Sequence, residues 1–423
     1  MEFLNGKTKE FQKATNTSVV QARELRNELA GAQVDAALLG YNASEAAGAL
    51  SKEFGSLDKI SGETVKTMGR FEKGLGISME TSAKMMKSME GIGVDTEKAQ
   101  VSTMKYAASL AIANDVAPAD VMNSIAEDTE NFAKYGNDGG KNMIKAAVAA
   151  RKLGLELKII PISKDGILSE DDIINNCDDS TKVLSLTHMS NVTGQILDIK
   201  KIKKSINKDT YVAVDGCQSI AHLKIDVKDL DCDFYSFSSH KLYGPSGIGI
   251  MYGKEDILNK LNPPTLGGGM INEVSSNDFS YAMLPNKFEP GTPSIEAAIG
   301  FKTAMEYLNN NNYQDYFLNE KKLRSTLIKA LREFKEVDIY GSNEDGNATS
   351  IVSFNIKNQN FNDIATFLDQ YGIMIRGGHH CCQPFMKKLG IPGSCRVSFG
   401  IYNDLNDIDH FIDSLKKTLK LLQ

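Results

Sequence analysis

Two stretches, VAVDGCQS (212–219) and FSSHKLYGPSGIGI (237–250), decide how this chain is read. Each begins as a short β-rich run and ends in polar groups and glycines, the pattern of a strand that delivers side chains at its carboxyl end. Comparable runs stand around them: KVLSLTH (182–188), TYVAVDG (210–216), DFYSFSSH (233–240) and GIGIMYG (247–253), with LELKIIPI (155–162) expected to open the series. Polar or helical stretches at 169–175 and 198–207 separate them. Strands alternating with helices predict an α/β fold whose sheet is at least partly parallel.

In such a sheet, ligands collect beyond the carboxyl ends of the strands. One strand brings Asp215 and Gln218 to that edge; the next brings Ser238, Ser239, His240 and Lys241, followed by the glycine-bearing turn 244–247. A lysine to bond an aldehyde, a carboxylate to keep a ring nitrogen protonated and donors for a phosphate are the set that pyridoxal 5'-phosphate needs. Alone, Lys241 reads as a solvated charge and VDG as an ordinary strand exit. Together, one strand-helix unit apart, they point to that cofactor.

A second group lies further on, RGGHHCCQP (376–384) followed by SCRVSFGIYN (394–403). Its glycines suit a loop, and a thiol beside two imidazoles can lose its proton near neutral pH to give a nucleophile. Arg396, at the start of a strand, offers a planar fork for a substrate carboxylate. The competing readings are a vicinal disulfide or a zinc site. Adjacent residues do not easily turn four side chains to one metal, and the separated ligand pairs of common zinc sites are missing, so no metal is expected. The surrounding runs, a helix near 315–334, strands VDIYG, TSIVSFNI, IMIRGG and CRVSFGI, and an amphipathic helix 406–422, predict a smaller α+β domain.

Before residue 150 the texture differs. Ala, Met, Lys, Glu and Ser dominate, Pro118 is the single proline, and no His or Cys occurs, whereas Cys177, Cys217, Cys232, Cys381, Cys382 and Cys395 and all six histidines come later. Helices are expected at 78–89, at 95–113 with Asp95 as N-cap, at 118–135 with Pro118 in the first turn, and from 140 or 141 to 153, ended by Gly154. Met85, Met86 and Met89 read as helix packing. The chain carries 48 basic and 54 acidic residues, a net charge of −6. Without a basic block this argues against nucleic acid or an anionic membrane as partner. No run approaches the roughly 18 apolar residues that span a bilayer, and the polar start MEFLNGKTKEFQKATNT has no signal-peptide core. A cytoplasmic protein with reduced thiols is expected.

The stretches THMSNVTG (187–194), VDGCQS (214–219), FSSHKLYGPSGIGI, FEPGTPS (288–294) and the RGGHHCCQP/SCRVSFGIYN pair resemble the fold-type I, class V aminotransferase-like enzymes, and specifically the Suf-type (group II) cysteine desulfurases, from about residue 155 onward. The resemblance implies a homodimer that takes sulfur from L-cysteine for iron-sulfur cluster assembly, hands it to a Suf-type acceptor protein, and acts as a selenocysteine lyase as well. It implies that Lys241 holds the cofactor, Asp215 pairs with its ring nitrogen and Gln218 with its ring hydroxyl. Ser238 and His240 would bind the phosphate, with Thr292 reaching the partner subunit's. Asn191, Arg376 and Arg396 would bind substrate, and Cys381 would carry the persulfide. Cys382 departs from the family, which usually has a small residue such as alanine there.

GISMETSAKMMKSMEGIGVD, AIANDVAPADVMNSIAEDTENFAKYG and GGKNMIKAAVAARKLGLEL in turn resemble a phage tail tape-measure protein. The expected division is therefore a helical segment 1–153, a partial large domain 154–300 and a small domain 301–423. The desulfurases' N-terminal third, with its phosphate-cupping Thr and ring-stacking His, is expected to be missing, and the joint near KLGLELKII implies a fused reading frame. Impaired turnover follows as an expectation, with a catalytically inactive fusion or tail-structure protein as the alternative.

Overall fold

A computed structural model describes residues 2–15, 17–55, 60–91, 96–127, 136–164, 166–311, 313–341 and 347–422. The chain divides into two compact units, residues 1–161 with 382–390, and residues 162–381 with 391–423.

The first unit is helical. Helices Glu2–Thr15, Val19–Glu28, Ala30–Leu39, Ala43–Phe54, Gly62–Leu75, Met79–Gly91, Glu97–Ala113, Pro118–Glu127 and Gly136–Lys152 follow one another. Their starts are set by side chains that accept otherwise orphaned amides: Ser18 in a capping box with Gln21, then Asn42, Ser61 and Thr96. Thr96 takes the capping role expected of Asp95, which lies outside the described residues, as does the 128–135 part of the helix expected to reach residue 135. Gly154, at φ 68°, ends the last helix as expected. Met68, Met85, Met86, Met89, Met104 and Met122 are buried in one core, where flexible thioethers fill gaps between Ala-rich helices. The expected strand at 155–162 does not form. Leu157 and Ile159 instead lie against the helical core, so their apolar run is used without a strand partner.

The second unit holds a four-stranded sheet in the order β1 (Val183–Thr187), β2 (Tyr211–Asp215), β3 (Phe234–Ser238), β4 (Gly249–Gly253). The first three strands run parallel. β4 is antiparallel to β3, because the ten-residue connection 239–248 is too short for a crossover. A hairpin not expected from the sequence, β5 (Ile271–Val274) with β6 (Phe279–Tyr281), precedes the equally unexpected helix Ile295–Asn310.

Past helix Tyr313–Leu331, a second sheet runs β7 (Val337–Tyr340), β8 (Ile351–Ile356), β10 (Ser394–Ser398), β9 (Arg376–Gly378), antiparallel throughout. Leu323, Leu327, Phe354, Leu368, Phe411 and Leu415 pack it against helices Tyr313–Leu331, Phe361–Asp369 and Leu405–Leu422. Each such fully buried side chain contributes about 1.5–3 kcal/mol. The turn after β1 joins this sheet to the first: Ser353 Oγ donates to Val192 O at 2.6 Å, and Ile196 N donates to Asn347 O. Gly194 sits there at φ 70°, and a Cβ on it would stand 2.5 Å from Thr349 O.

Candidate functional site

The carboxyl edge of β1–β3 carries the first group. Asp215 ends β2, exposed, with its Oδ1 accepting from Cys217 N at 2.9 Å. Lys241 stands exposed at the end of the 3-10 turn Ser239–Lys241 that leaves β3. Ser239 Oγ donates to Pro245 O at 2.7 Å and holds this turn closed. Cys217 links the two strands: its Sγ is 3.9 Å from Ser238 Oγ. Burial pushes that thiol upward, with Asp215 adding to the shift and Lys241 opposing it.

Underneath lies a buried hydrogen-bonded network whose members the sequence pattern does not single out. His188 Nδ1 is 3.2 Å from Tyr235 Oη, and Tyr235 Oη is 2.7 Å from Ser219 Oγ. The His188 and Tyr235 rings meet edge to face at 6.0 Å. Burial holds the His188 imidazole at about 4, so it is neutral at ordinary pH. The available signal was the alternation of DFYSFSS, which turns Tyr235 inward on β3.

The second group surrounds Cys381. Arg376 on β9 and Arg396 on β10 are direct cross-strand partners. Arg376 Nη2 donates to Cys381 Sγ at 3.7 Å. His380 and Cys381 both have positive φ, 53° and 57°, in the left-handed region that non-glycine residues seldom adopt. Asn191 ties this loop to the first sheet, because its Nδ2 donates to His380 O at 2.7 Å while its carbonyl accepts from Arg396 Nη1 at 2.9 Å. His380 Nε2 is paired with Ser394 Oγ at 2.9 Å, and burial with the two arginines lowers its imidazole to about 4. Arg396 Nε is buried with no hydrogen-bond partner among the described residues, and burial beside Arg376 lowers the guanidinium from its ordinary value. Two adjacent guanidiniums, neither in a salt bridge with a carboxylate among the described residues, favour an anionic ligand.

The structure thus gathers Asp215, Ser238 and Lys241 at one edge, and Asn191, Arg376, Cys381 and Arg396 in a second cluster. Gln218 is half-buried beside Asp215, and His240 is exposed beside Lys241. Thr292 is exposed on the loop before helix Ile295–Asn310, and no hydrogen bond among the described residues ties it to the others. The edge fits pyridoxal phosphate by the chemistry of its donors: an amine for the aldehyde, a carboxylate for the ring nitrogen and a hydroxyl within the same strand exit.

A partly parallel sheet with these groups at its carboxyl edge, followed by a small antiparallel domain, is the architecture of fold-type I pyridoxal-phosphate enzymes. Residues 113–411 match the aminotransferase class-V family. The probable cysteine desulfurase of Staphylococcus epidermidis is 40% identical over 278 residues, 66% of this chain and 67% of that one. The cysteine desulfurase of Wigglesworthia glossinidia brevipalpis is 40% identical over 307 residues, 70% and 73% of the two chains. Among solved structures, the cysteine desulfurase CsdA from Escherichia coli superposes with a TM-score of 0.62 at 26% identity, covering 81% of this chain and 92% of that one. The chain belongs to the class-V aminotransferases, a family that uses pyridoxal phosphate, and within them to the cysteine desulfurase family. The match begins at residue 113, upstream of the joint expected near residue 154, and takes in helices Pro118–Glu127 and Gly136–Lys152.

Proposed function

We propose that this chain is a cytoplasmic, pyridoxal-phosphate-dependent cysteine desulfurase of the Suf type that converts L-cysteine to L-alanine and leaves the sulfur as a persulfide on Cys381. The observation that carries the reading is the double role of Asn191, which joins the cofactor edge to the Cys381 loop through Arg396 and His380. The cofactor, when bound, supplies an electron sink for the carbanion formed at the substrate's Cα. Lys241 Nζ would hold the cofactor through its aldehyde, and the same amine, exposed at the end of the turn after β3, would take the substrate's Cα proton. Asp215 would pair with the ring nitrogen, Gln218 with the ring hydroxyl, and Ser238 and His240 would hold the phosphate. Arg396, its Nε still without a partner, binds the substrate carboxylate with Asn191. Cys381 Sγ, held by Arg376, attacks the substrate sulfur, so that a C–S bond breaks and an S–S bond forms.

A homodimer in which Thr292 reaches the partner's phosphate, a Suf-type sulfur acceptor and a role in iron-sulfur cluster assembly complete the proposal. We read residues 154–300 and 301–423 as its large and small domains, and 1–153 as a tape-measure-like helical segment fused in place of the desulfurases' N-terminal third. No histidine precedes His188, so no ring-stacking imidazole comes from that part, and weak cofactor retention with reduced turnover is expected. The relatives do not favour the alternative, a catalytically inactive fusion or tail-structure protein.

The test uses the full chain with added pyridoxal phosphate. The lysine-bound chromophore is expected to form and to vanish in Lys241→Ala, and alanine release from L-cysteine to vanish in Cys381→Ser. No bound cofactor in the unaltered chain overturns the reading.

A further inference from the structure

The turn 215–219 is built on Tyr235, whose hydroxyl bonds Ser219 rather than Asp215 or Gln218 among the described residues. Tyr235 lies on β3 opposite Val214 and is 1% exposed, with His188 and Ser219 buried on either side of its hydroxyl. Gly216 sits against the ring: a Cβ there would stand 2.0 Å from Tyr235 Cε1. Ser219 Oγ is 3.3 Å from Gly216 O and 2.7 Å from Tyr235 Oη, so this one hydroxyl links the backbone of the turn to the tyrosine. Tyr235 Oη is also 3.2 Å from His188 Nδ1, so the tyrosine hydroxyl is shared between the imidazole and Ser219. The backbone closes the same unit, since His188 N donates to Asp215 O at 2.9 Å and Gly216 N to Ser236 O at 2.8 Å.

We infer that the chain His188–Tyr235–Ser219–Gly216 is a positioning network that fixes the height and direction of Asp215 and Gln218 at the sheet edge, with Tyr235 as its keystone. Loss of the Tyr235 hydroxyl takes from His188 Nδ1 and Ser219 Oγ the partner they share, and the turn loses its tie to β3. The inference rests on the cofactor reading above and extends it to residues that do not touch the cofactor.

Tyr235→Phe, compared with the unaltered full chain, tests it through pyridoxal phosphate binding and the pH titration of the lysine-bound chromophore. The expected result is cofactor affinity weaker by roughly tenfold, the equivalent of one buried hydrogen bond, together with a displaced chromophore midpoint. Unchanged affinity and midpoint overturn the proposal. So does weaker binding matched by a lower melting temperature of the cofactor-free protein with the midpoint unmoved, since that marks a merely structural role. Ser219→Ala, which keeps the Tyr235–His188 bond, is read by the same criteria if Tyr235→Phe does not fold. A chromophore absent from the unaltered chain overturns the cofactor reading and this proposal with it, whereas one present and insensitive to both substitutions overturns this proposal alone.

Discussion

The guanidinium of Arg376 reaches to 3.7 Å from Cys381 Sγ, and the backbone of Arg376 pairs across the sheet with Arg396. The exposed Cys381 thiol therefore lies beside two guanidiniums. An anionic reagent is favoured there over a neutral one of similar size. Iodoacetate should alkylate Cys381 faster relative to iodoacetamide than it does a free thiol, and Arg376→Ala should reduce that ratio by roughly threefold to fivefold, the effect of one solvent-screened charge at contact range. Mass-spectrometric rates at low and high salt check it; a ratio unaffected by the substitution would remove Arg376 from the thiol's electrostatic partners.

Asp215→Asn preserves the shape at the end of β2 and removes the charge. Its Oδ1 contact with Cys217 N survives in the amide, so the turn should stay folded. A ring nitrogen that loses a neighbouring carboxylate drops its pKa by about one to three units, which lowers the protonated fraction on the order of 100-fold at neutral pH. Alanine release should fall by a similar factor while pyridoxal phosphate still binds. Wild-type turnover in this variant would exclude Asp215 as the ring partner.

The sheet edge was legible because its chemistry is local. Asp215 closes β2 and Lys241 ends the turn that leaves β3, and a strand's exit is written in a few adjacent residues. The Cys381 loop was legible as a motif, but its partnership with Asn191 was not, since the hydrogen bond to His380 O spans 189 positions. Tyr235 was missed for the same reason: its hydroxyl is satisfied by Ser219 and His188, 16 and 47 residues away, and the sequence around it reads as an ordinary buried strand. LELKIIPI misled in the opposite direction. Its apolar residues have β propensity, but a strand needs a neighbour, and Leu157 and Ile159 found helices instead.

Gly216→Ala probes packing beneath the site. The added methyl would lie 2.0 Å from the Tyr235 ring, too close for the ring edge to absorb without moving β3 or the turn. Overpacking of this kind costs about 1–3 kcal/mol. The expected outcome is a lower urea midpoint with unchanged m-value, and weaker cofactor binding. Alanine tolerated without change would mean that the ring is not wedged under the turn.

Acid should destabilise the second unit through its buried imidazoles. His188 is held at about 4 by burial, with Asp198 opposing the shift, against an ordinary value near 6.5. The unfolded chain thus binds a proton between those values that the folded chain does not. The stability from the neutral, buried form is fully present above about pH 6.5 and is lost as pH falls toward 4. For His188 alone the loss is about 2 kcal/mol at pH 5 and about 3 kcal/mol once both states are protonated. His380 is depressed to about 4 as well, by burial and then by Arg396 and Arg376, and adds in the same window. Urea midpoints at pH 7 and pH 5 should differ accordingly. His188→Gln lacks the titrating group, so it should be less stable at pH 7 and should lose about 2 kcal/mol less on acidification. A variant whose midpoint falls as steeply as that of the unaltered chain would show that His188 is not what the acid unfolds.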